Sequence, residues 1–228
     1  MTVAEKIIDF NKSLEYTGEL PPGIKIMNPF KESAEAQIIS EQFYNKYYDD
    51  NKSRRFIIGI NPGRHGAGIT GVPFTDTKRM ESHCGISVRG FKSHELSSVF
   101  VYDLIDAFGG PDRFYKLYYI NSGCPLGFVK LNSRGREINY NYYDDRILYT
   151  LVKPFMIDSI NKQIALGLDR DIAYCLGTGK NYKYLSEINS EQKYFQEIIP
   201  LEHPRYIMQY KSKDKQKYID KFVHILDY

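Results

Sequence analysis

Four short apolar runs do most to limit the folds open to this chain. Residues 55–60 read Arg-Phe-Ile-Ile-Gly-Ile, and runs of similar character recur at 117–121, 172–177 and 195–201. Each is short and rich in β-branched or aromatic side chains, the pattern of a strand buried on both faces. Helical patterns separate them, over 95–108, over 146–161 and in a short stretch near Tyr182. Strands that alternate with helices imply a parallel sheet with helices on both faces. The expected fold is α/β, a three-layer α/β/α arrangement around a central, mainly parallel four-stranded sheet. Sheets of this kind bind ligands at the carboxyl ends of their strands, near the switch in strand order.

The flanking segments fit one domain covering residues 1–228. Residues 2–14 form an amphipathic helix, with Val3, Ile7, Phe10 and Leu14 at helical spacing and a capping box from Thr2 and Glu5. Residues 18–29 hold Pro21, Pro22, Gly23 and Pro29 and read as an irregular connection. A second helix is expected over 33–48, with Ala36, Ile39, Phe43 and Tyr47 on one face. A last one is expected over 213–228, with Tyr218, Phe222, Ile225 and Leu226 inward. The patch 140–143 reads as a surface loop.

Apolar residues make up 42% of the chain and charged residues 26%, so a buried core is affordable. The formal net charge of +3 neither announces a nucleic-acid binder nor forbids one. Cys84, Cys124 and Cys175 are isolated and odd in number, which suits a reducing compartment and argues against disulfides and a zinc site. No apolar run approaches the roughly 20 residues of a membrane span, and the first residues lack a signal-peptide pattern. A soluble cytoplasmic protein, nucleoid-associated in a prokaryote, is expected.

Three segments that follow strands carry the polar chemistry. Residues 59–74 contain five glycines. They form either a tight loop or a phosphate cradle, but neither a Walker A loop nor a GxGxxG turn. Asn121 closes a buried run ahead of Cys124-Pro125 and is either a turn residue or an amide that reads a ligand. His203-Pro204 ends the fourth run, and its imidazole is either structural or catalytic. His65, inside the glycine-rich segment, stays open as a further candidate.

Together these segments resemble the single-strand-selective monofunctional (SMUG) branch of the uracil-DNA glycosylase superfamily. Gly59-Ile60-Asn61-Pro62-Gly63 and Thr70-Gly71-Val72-Pro73-Phe74 are similar to the family's G-[IM]-N-P-G and T-G-V-P-F. Residues 121–126 resemble its N-x-x-C-P-L stretch, and His203-Pro204 its H-P motif. Asn28-Pro29 stands where the family has an N-P ahead of a helix. The likeness spans roughly residues 27–210. Arg205 stands where the family's H-P motif continues with Ser, and 75–92 has no clear counterpart.

The resemblance implies a uracil-DNA glycosylase-like fold and hydrolysis of the N-glycosidic bond of uracil in DNA, with the base flipped into a pocket. It assigns Asn61 to hold the attacking water and His203 to donate to uracil O2. Phe74 would stack on the base and Asn121 would read its polar edge. Gly66 and Gly68 would present backbone N–H groups near C5. Arg205, Tyr206, Ile207 and Met208 would wedge into DNA, while Lys211 and Lys213 meet phosphates or simply lie on a solvated face. It further implies no metal, no cofactor, no Schiff-base lysine, a monomeric protein and DNA as partner. The alternatives are a homologue that binds nucleic acid without turnover and an unrelated α/β hydrolase that binds nucleotides.

Overall fold

The computed structural model describes residues 1–227. Helix α1 (Val3–Ser13) opens with the expected capping box: the Glu5 N–H donates to Thr2 Oγ1 at 3.3 Å and the Thr2 N–H to Glu5 Oε2 at 2.7 Å. Next come β1 (Ile24–Met27), α2 (Pro29–Glu32) and α3 (Ala34–Tyr47). Strand β2 (Arg55–Gly59) leads through α4 (Ala67–Thr70), α5 (Thr77–Ser82), α6 (Leu96–Ala107) and α7 (Pro111–Leu117) to β3 (Tyr118–Ser122). A hairpin of β4 (Gly127–Leu131) and β5 (Glu137–Tyr140) precedes α8 (Arg146–Ile164). The chain closes with β6 (Ile172–Leu176), α9 (Lys180–Gln192), β7 (Glu197–Leu201), α10 (Pro204–Tyr210) and α11 (Lys215–Leu226). Tyr228, the end of the helix expected over 213–228, lies outside the described residues.

The four expected strands form one parallel sheet in the order β3-β2-β6-β7. Ile58 of β2 pairs with Asn121 on one side and Cys175 on the other. The chain therefore leaves β2 toward β3 and later returns to the opposite flank at β6. That reversal places a crevice at the carboxyl ends of the central strands. The inner residues explain the stability of the layer: Phe56, Ile57, Ile58, Tyr119, Ala173, Tyr174 and Cys175 are all buried.

Three expectations need correction. Residues 18–29 are not wholly irregular, because β1 pairs antiparallel with β4 from Ile24↔Lys130 to Met27↔Gly127. A second sheet, β1-β4-β5, thus stands beside the first. Its strands are four or five residues long, and the Pro and Gly around β1 mask so short a run. Helix α9, expected to be short, has 13 residues. The patch 140–143 is not surface either, since Tyr142 is fully buried.

Arg54, just before β2, anchors the amino edge of the sheet. Only 1% exposed, it donates through Nε to Tyr115 O at 2.7 Å and through Nη1 and Nη2 to both Asp50 oxygens at 2.9 and 3.0 Å. Its guanidinium also lies 4.6 Å from the centre of the Tyr48 ring. A buried charge is tolerated only when its donors are used in this way. Replacing Arg54→Met should therefore cost about 3 kcal/mol, since Asp50 and the buried Tyr115 carbonyl lose their partner. Urea denaturation checks this; an unchanged midpoint would deny the anchor.

Candidate active site

A cavity of about 920 Å³ opens at the carboxyl ends of β2, β3, β6 and β7. Asn61, Phe74 and His203 line it together, although 142 positions separate the first from the last. Each reaches it for a local reason.

Asn61 leaves β2 two residues after Gly59. Its Nδ2 donates to the Tyr140 carbonyl at 3.2 Å, and its Oδ1 accepts the Tyr142 N–H at 3.2 Å. Two backbone groups of opposite polarity thus fix which end of the amide is oxygen. The segment that supplies them is held in turn. Tyr142 Oη donates to Asn181 Oδ1 at 2.7 Å, and Asn181 Nδ2 donates to Leu176 O at 2.9 Å. The hairpin also contributes Asn139, whose Oδ1 accepts the Arg64 N–H at 3.0 Å. No motif in the sequence pointed to 139–143; the only signal was four polar and aromatic residues in a row.

Phe74 sits in a tight turn closed by the Thr75 N–H on Val72 O at 3.2 Å. Its φ of 53° falls in the left-handed region, which a phenylalanine occupies only at a cost of roughly 1–2 kcal/mol. Thr70 holds the turn, since its hydroxyl donates to Thr75 O at 2.6 Å and accepts the Val72 N–H at 3.2 Å. Gly71, at φ 70°, ends α4 and lets the chain turn into it.

His203 is the N-cap of α10. Its Nδ1 accepts the Arg205 N–H at 3.1 Å, with Pro204 in the first turn. A nitrogen that accepts carries no proton, so the neutral ring bears its hydrogen on Nε2. Burial, helped by the Arg205 guanidinium, pushes this imidazole down to about 4. His203 is therefore a neutral donor at ordinary pH. Its ring centre lies 5.8 Å from that of Phe74.

Other expected site residues fall elsewhere. Asn121 does not line the cavity; Ser122 does. Successive strand residues point to opposite faces, so Asn121 shares the face of Tyr119. Its Nδ2 donates to Tyr119 Oη at 2.6 Å and its Oδ1 accepts the Ser122 N–H at 2.8 Å. The buried Tyr119 two residues earlier was the signal that would have assigned that face. Gly66 and Gly68 do not line the cavity, and both N–H groups are spent on Gly63 O, at 3.2 and 2.9 Å. Gly63 lines it instead.

The expected wedge divides along a helix. Arg205, Tyr206, Gln209 and Tyr210 lie on the cavity side of α10, while Ile207 is 0% exposed in the core and Met208 packs against it. Helical geometry forces this division, because 205 and 206 share a face with 209 and 210, one turn on, while 207 and 208 fall on the opposite face. Lys211 and Lys213 are exposed away from the cavity, whereas Arg64, His65 and Lys180 line it. The sequence reading also missed Glu95, whose carboxyl lines the cavity under the glycine-rich segment. Burial raises it to about 7, and the nearby Asp76 adds to the shift. A single acid ahead of a helix carries no local signature.

Among the described residues no group of His, Cys, Asp and Glu could hold a metal ion, and no helix is long and apolar enough to cross a membrane. The placement of Asn121 has a measurable consequence. Asn121→Ala should destabilise the fold by about 1–3 kcal/mol, because the buried Tyr119 hydroxyl loses a partner. Ser122→Ala, at a cavity-lining position, should leave the denaturation midpoint within error. The reverse pattern would return Asn121 to the pocket.

Comparison with known proteins identifies the family. Residues 45–227 match the Uracil DNA glycosylase superfamily. The whole chain is similar to the crystal structure of SMUG2 from Pedobacter heparinus, with 55% sequence identity and a TM-score of 0.98, over 100% of this chain and 97% of that one. The chain belongs to the uracil DNA glycosylase superfamily, in its SMUG-type branch.

Proposed function

We propose that this uracil-DNA glycosylase acts as a monofunctional monomer on a base extruded into the cavity of Asn61, Phe74 and His203. The observation that carries the reading is the neutral His203, its Nε2–H available in the same hollow as the Asn61 amide and the Phe74 ring.

Extrusion costs a few kcal/mol, least for a mispaired or single-stranded base. Phe74 offsets part of it by stacking, about 1–3 kcal/mol per base. Ser122 meets the polar edge of the pyrimidine in place of Asn121. As the glycosidic bond breaks, negative charge gathers on uracil O2, where the His203 Nε2–H donates. A donor aimed at developing charge contributes roughly 10²–10³ in rate. Asn61 has one lone pair of Oδ1 left to hold water, but an amide takes no proton, so water adds late to a sugar already cationic.

Tyr206 and Tyr210 are the wedge. They are 44% and 65% exposed, with ring centres 5.5 Å apart on the mouth side of α10. Apolar and aromatic rings inserted at a base step keep the gap open. Arg64, Arg205 and Lys180 around the mouth supply positive charge to phosphates. Lys180 is exposed rather than desolvated, which does not suit a Schiff-base nucleophile.

Uracil release from single- and double-stranded oligonucleotides tests the reading. Asn61→Ala and His203→Ala should each lose on the order of 10²-fold or more in rate while the fold survives, with melting points lowered by the hydrogen bonds each variant removes. Full activity in both variants would reject the site, and no release by the wild type would favour a homologue that binds without turnover. NMR titration of His203 should find its midpoint near 4 and a neutral ring at pH 6. A midpoint near 6.5 would remove the neutral donor.

A further inference from the structure

Glu95 stands apart from every other acid at this site. Its carboxyl fills the space that side chains on Gly63 and Gly66 would need. A Cβ on Gly63 would lie 3.2 Å from Oε1, and one on Gly66 would collide with Oε2. Oε2 accepts the Ser98 hydroxyl at 3.2 Å. Oε1 lies toward Gly63, a cavity-lining residue two positions from Asn61. The main chain is fixed as well, because the Glu95 N–H donates to the buried Asp76 Oδ2 at 2.8 Å.

Among the described residues that line the cavity, every other group that could take the proton of water is engaged or exposed. Asn61 cannot take one. His203 has its Nδ1 occupied by the Arg205 N–H and its Nε2 protonated. Glu202 is paired with Lys221 at 2.7 Å, and Asp144, whose Oδ2 accepts the Asn141 N–H at 2.8 Å, is exposed to solvent. His65 is exposed at the rim.

We propose that Glu95 is the proton acceptor of the hydrolysis and the anion that faces the cationic sugar. This rests on the glycosylase reading of the cavity. The C1′–N1 bond breaks, and its electron pair leaves with uracil. The oxygen of water then bonds to C1′, and one of its protons passes to the Glu95 carboxylate, which returns it to solvent. Uracil takes a proton from solvent. Nothing is oxidised or reduced.

The groups around Glu95 set the pH at which it serves. Asp76, from the start of α5, opposes its ionisation and is itself paired with Arg79 at 3.2 Å and His94 at 3.4 Å. Ser98 on its own helix and Arg205 from α10 favour the carboxylate. Arg64 and His65, on the glycine-rich segment, line the same cavity, with the Arg64 guanidinium donating to the Glu137 carbonyl. The acid lies near 7, where a base is best matched to neutral conditions. A raised carboxyl is neutral below its midpoint, so activity must rise as pH climbs through about 7.

Single-turnover release of uracil from a single-stranded oligonucleotide, between pH 5.5 and 9, is the test. The wild type should gain rate through about pH 7 and then level off. Glu95→Gln, which keeps shape but not charge, should be roughly 10²-fold slower on the plateau and flat with pH. Glu95→Asp should keep the slope at a reduced rate. Ser98→Ala removes a contact that favours the carboxylate and should move the midpoint to higher pH. Wild-type rate and profile in Glu95→Gln overturn the proposal, as does a slope lost in His65→Ala but kept in Glu95→Gln. Should Glu95→Gln fail to fold, an unmoved midpoint in Ser98→Ala overturns it. Absence of uracil release by the wild type would instead refute the glycosylase reading.

Discussion

The amide of Asn61 is clamped between the carbonyl of Tyr140 and the N–H of Tyr142, and much of the site follows from that clamp. An unclamped asparagine at a strand end can flip, exchanging donor for acceptor at nearly equal energy. Here a flip would set N–H against N–H and oxygen against oxygen, leaving two backbone groups unmatched at a cost of about 1–3 kcal/mol each. The clamp therefore fixes which end of the amide is the acceptor at the cavity wall. It also explains the second sheet. The β4–β5 hairpin delivers residues 139–142 to the mouth of the first sheet, and Tyr142 ties them to Asn181 and so to the end of β6.

His203 receives its orientation from one helix end. A cap that accepts through Nδ1 must donate through Nε2, so structural and chemical roles share one ring. The positive end of a helix also disfavours a cation there, in the same direction as the burial that holds His203 neutral. Pro204, with its φ preset and no N–H to lose, suits the first turn. The His-Pro pair is thus a stiff mount for a neutral donor. The departure at Arg205 does not disturb it, because the N–H that matters belongs to the main chain.

The sequence carried the layer of four strands because a doubly buried strand announces itself by composition. It carried α1 and α3 through caps and periodicity. It hid β1, β4 and β5, whose four or five residues sit among turn formers. It marked Asn61, Phe74 and His203, which stand in specific motifs and line one cavity. Asn121 illustrates the limit: the motif marks the strand end, but the pleat decides that Ser122 faces the cavity. Gly66 and Gly68 illustrate another, since composition shows that a backbone can approach a ligand and not where its N–H groups are spent. Ile207 was grouped with Tyr206 by adjacency, and only the helix separates them. Glu95 depends on a meeting of α6 with the glycine-rich segment that no local pattern encodes.

Phe74 shows how the fold sustains an unfavourable local choice. Glycine would occupy φ 53° freely, yet the turn carries a phenyl ring there. A strained residue persists only where its surroundings over-determine it. Here the Thr70 hydroxyl closes the turn from inside, and the Thr75 hydroxyl lies 3.1 Å from that of the buried Tyr102. These contacts offset strain of roughly 1–2 kcal/mol. In return the ring is held against Gly59, where an added Cβ would stand only 3.2 Å from its Cε2. A phenyl ring already held in place loses little freedom when a base stacks on it, so more of the stacking energy remains to oppose re-entry of the base into the helix. The glycine at 59 and the absence of one at 74 are two sides of the same requirement: a flat, immobile apolar wall at the end of β2, facing the cavity.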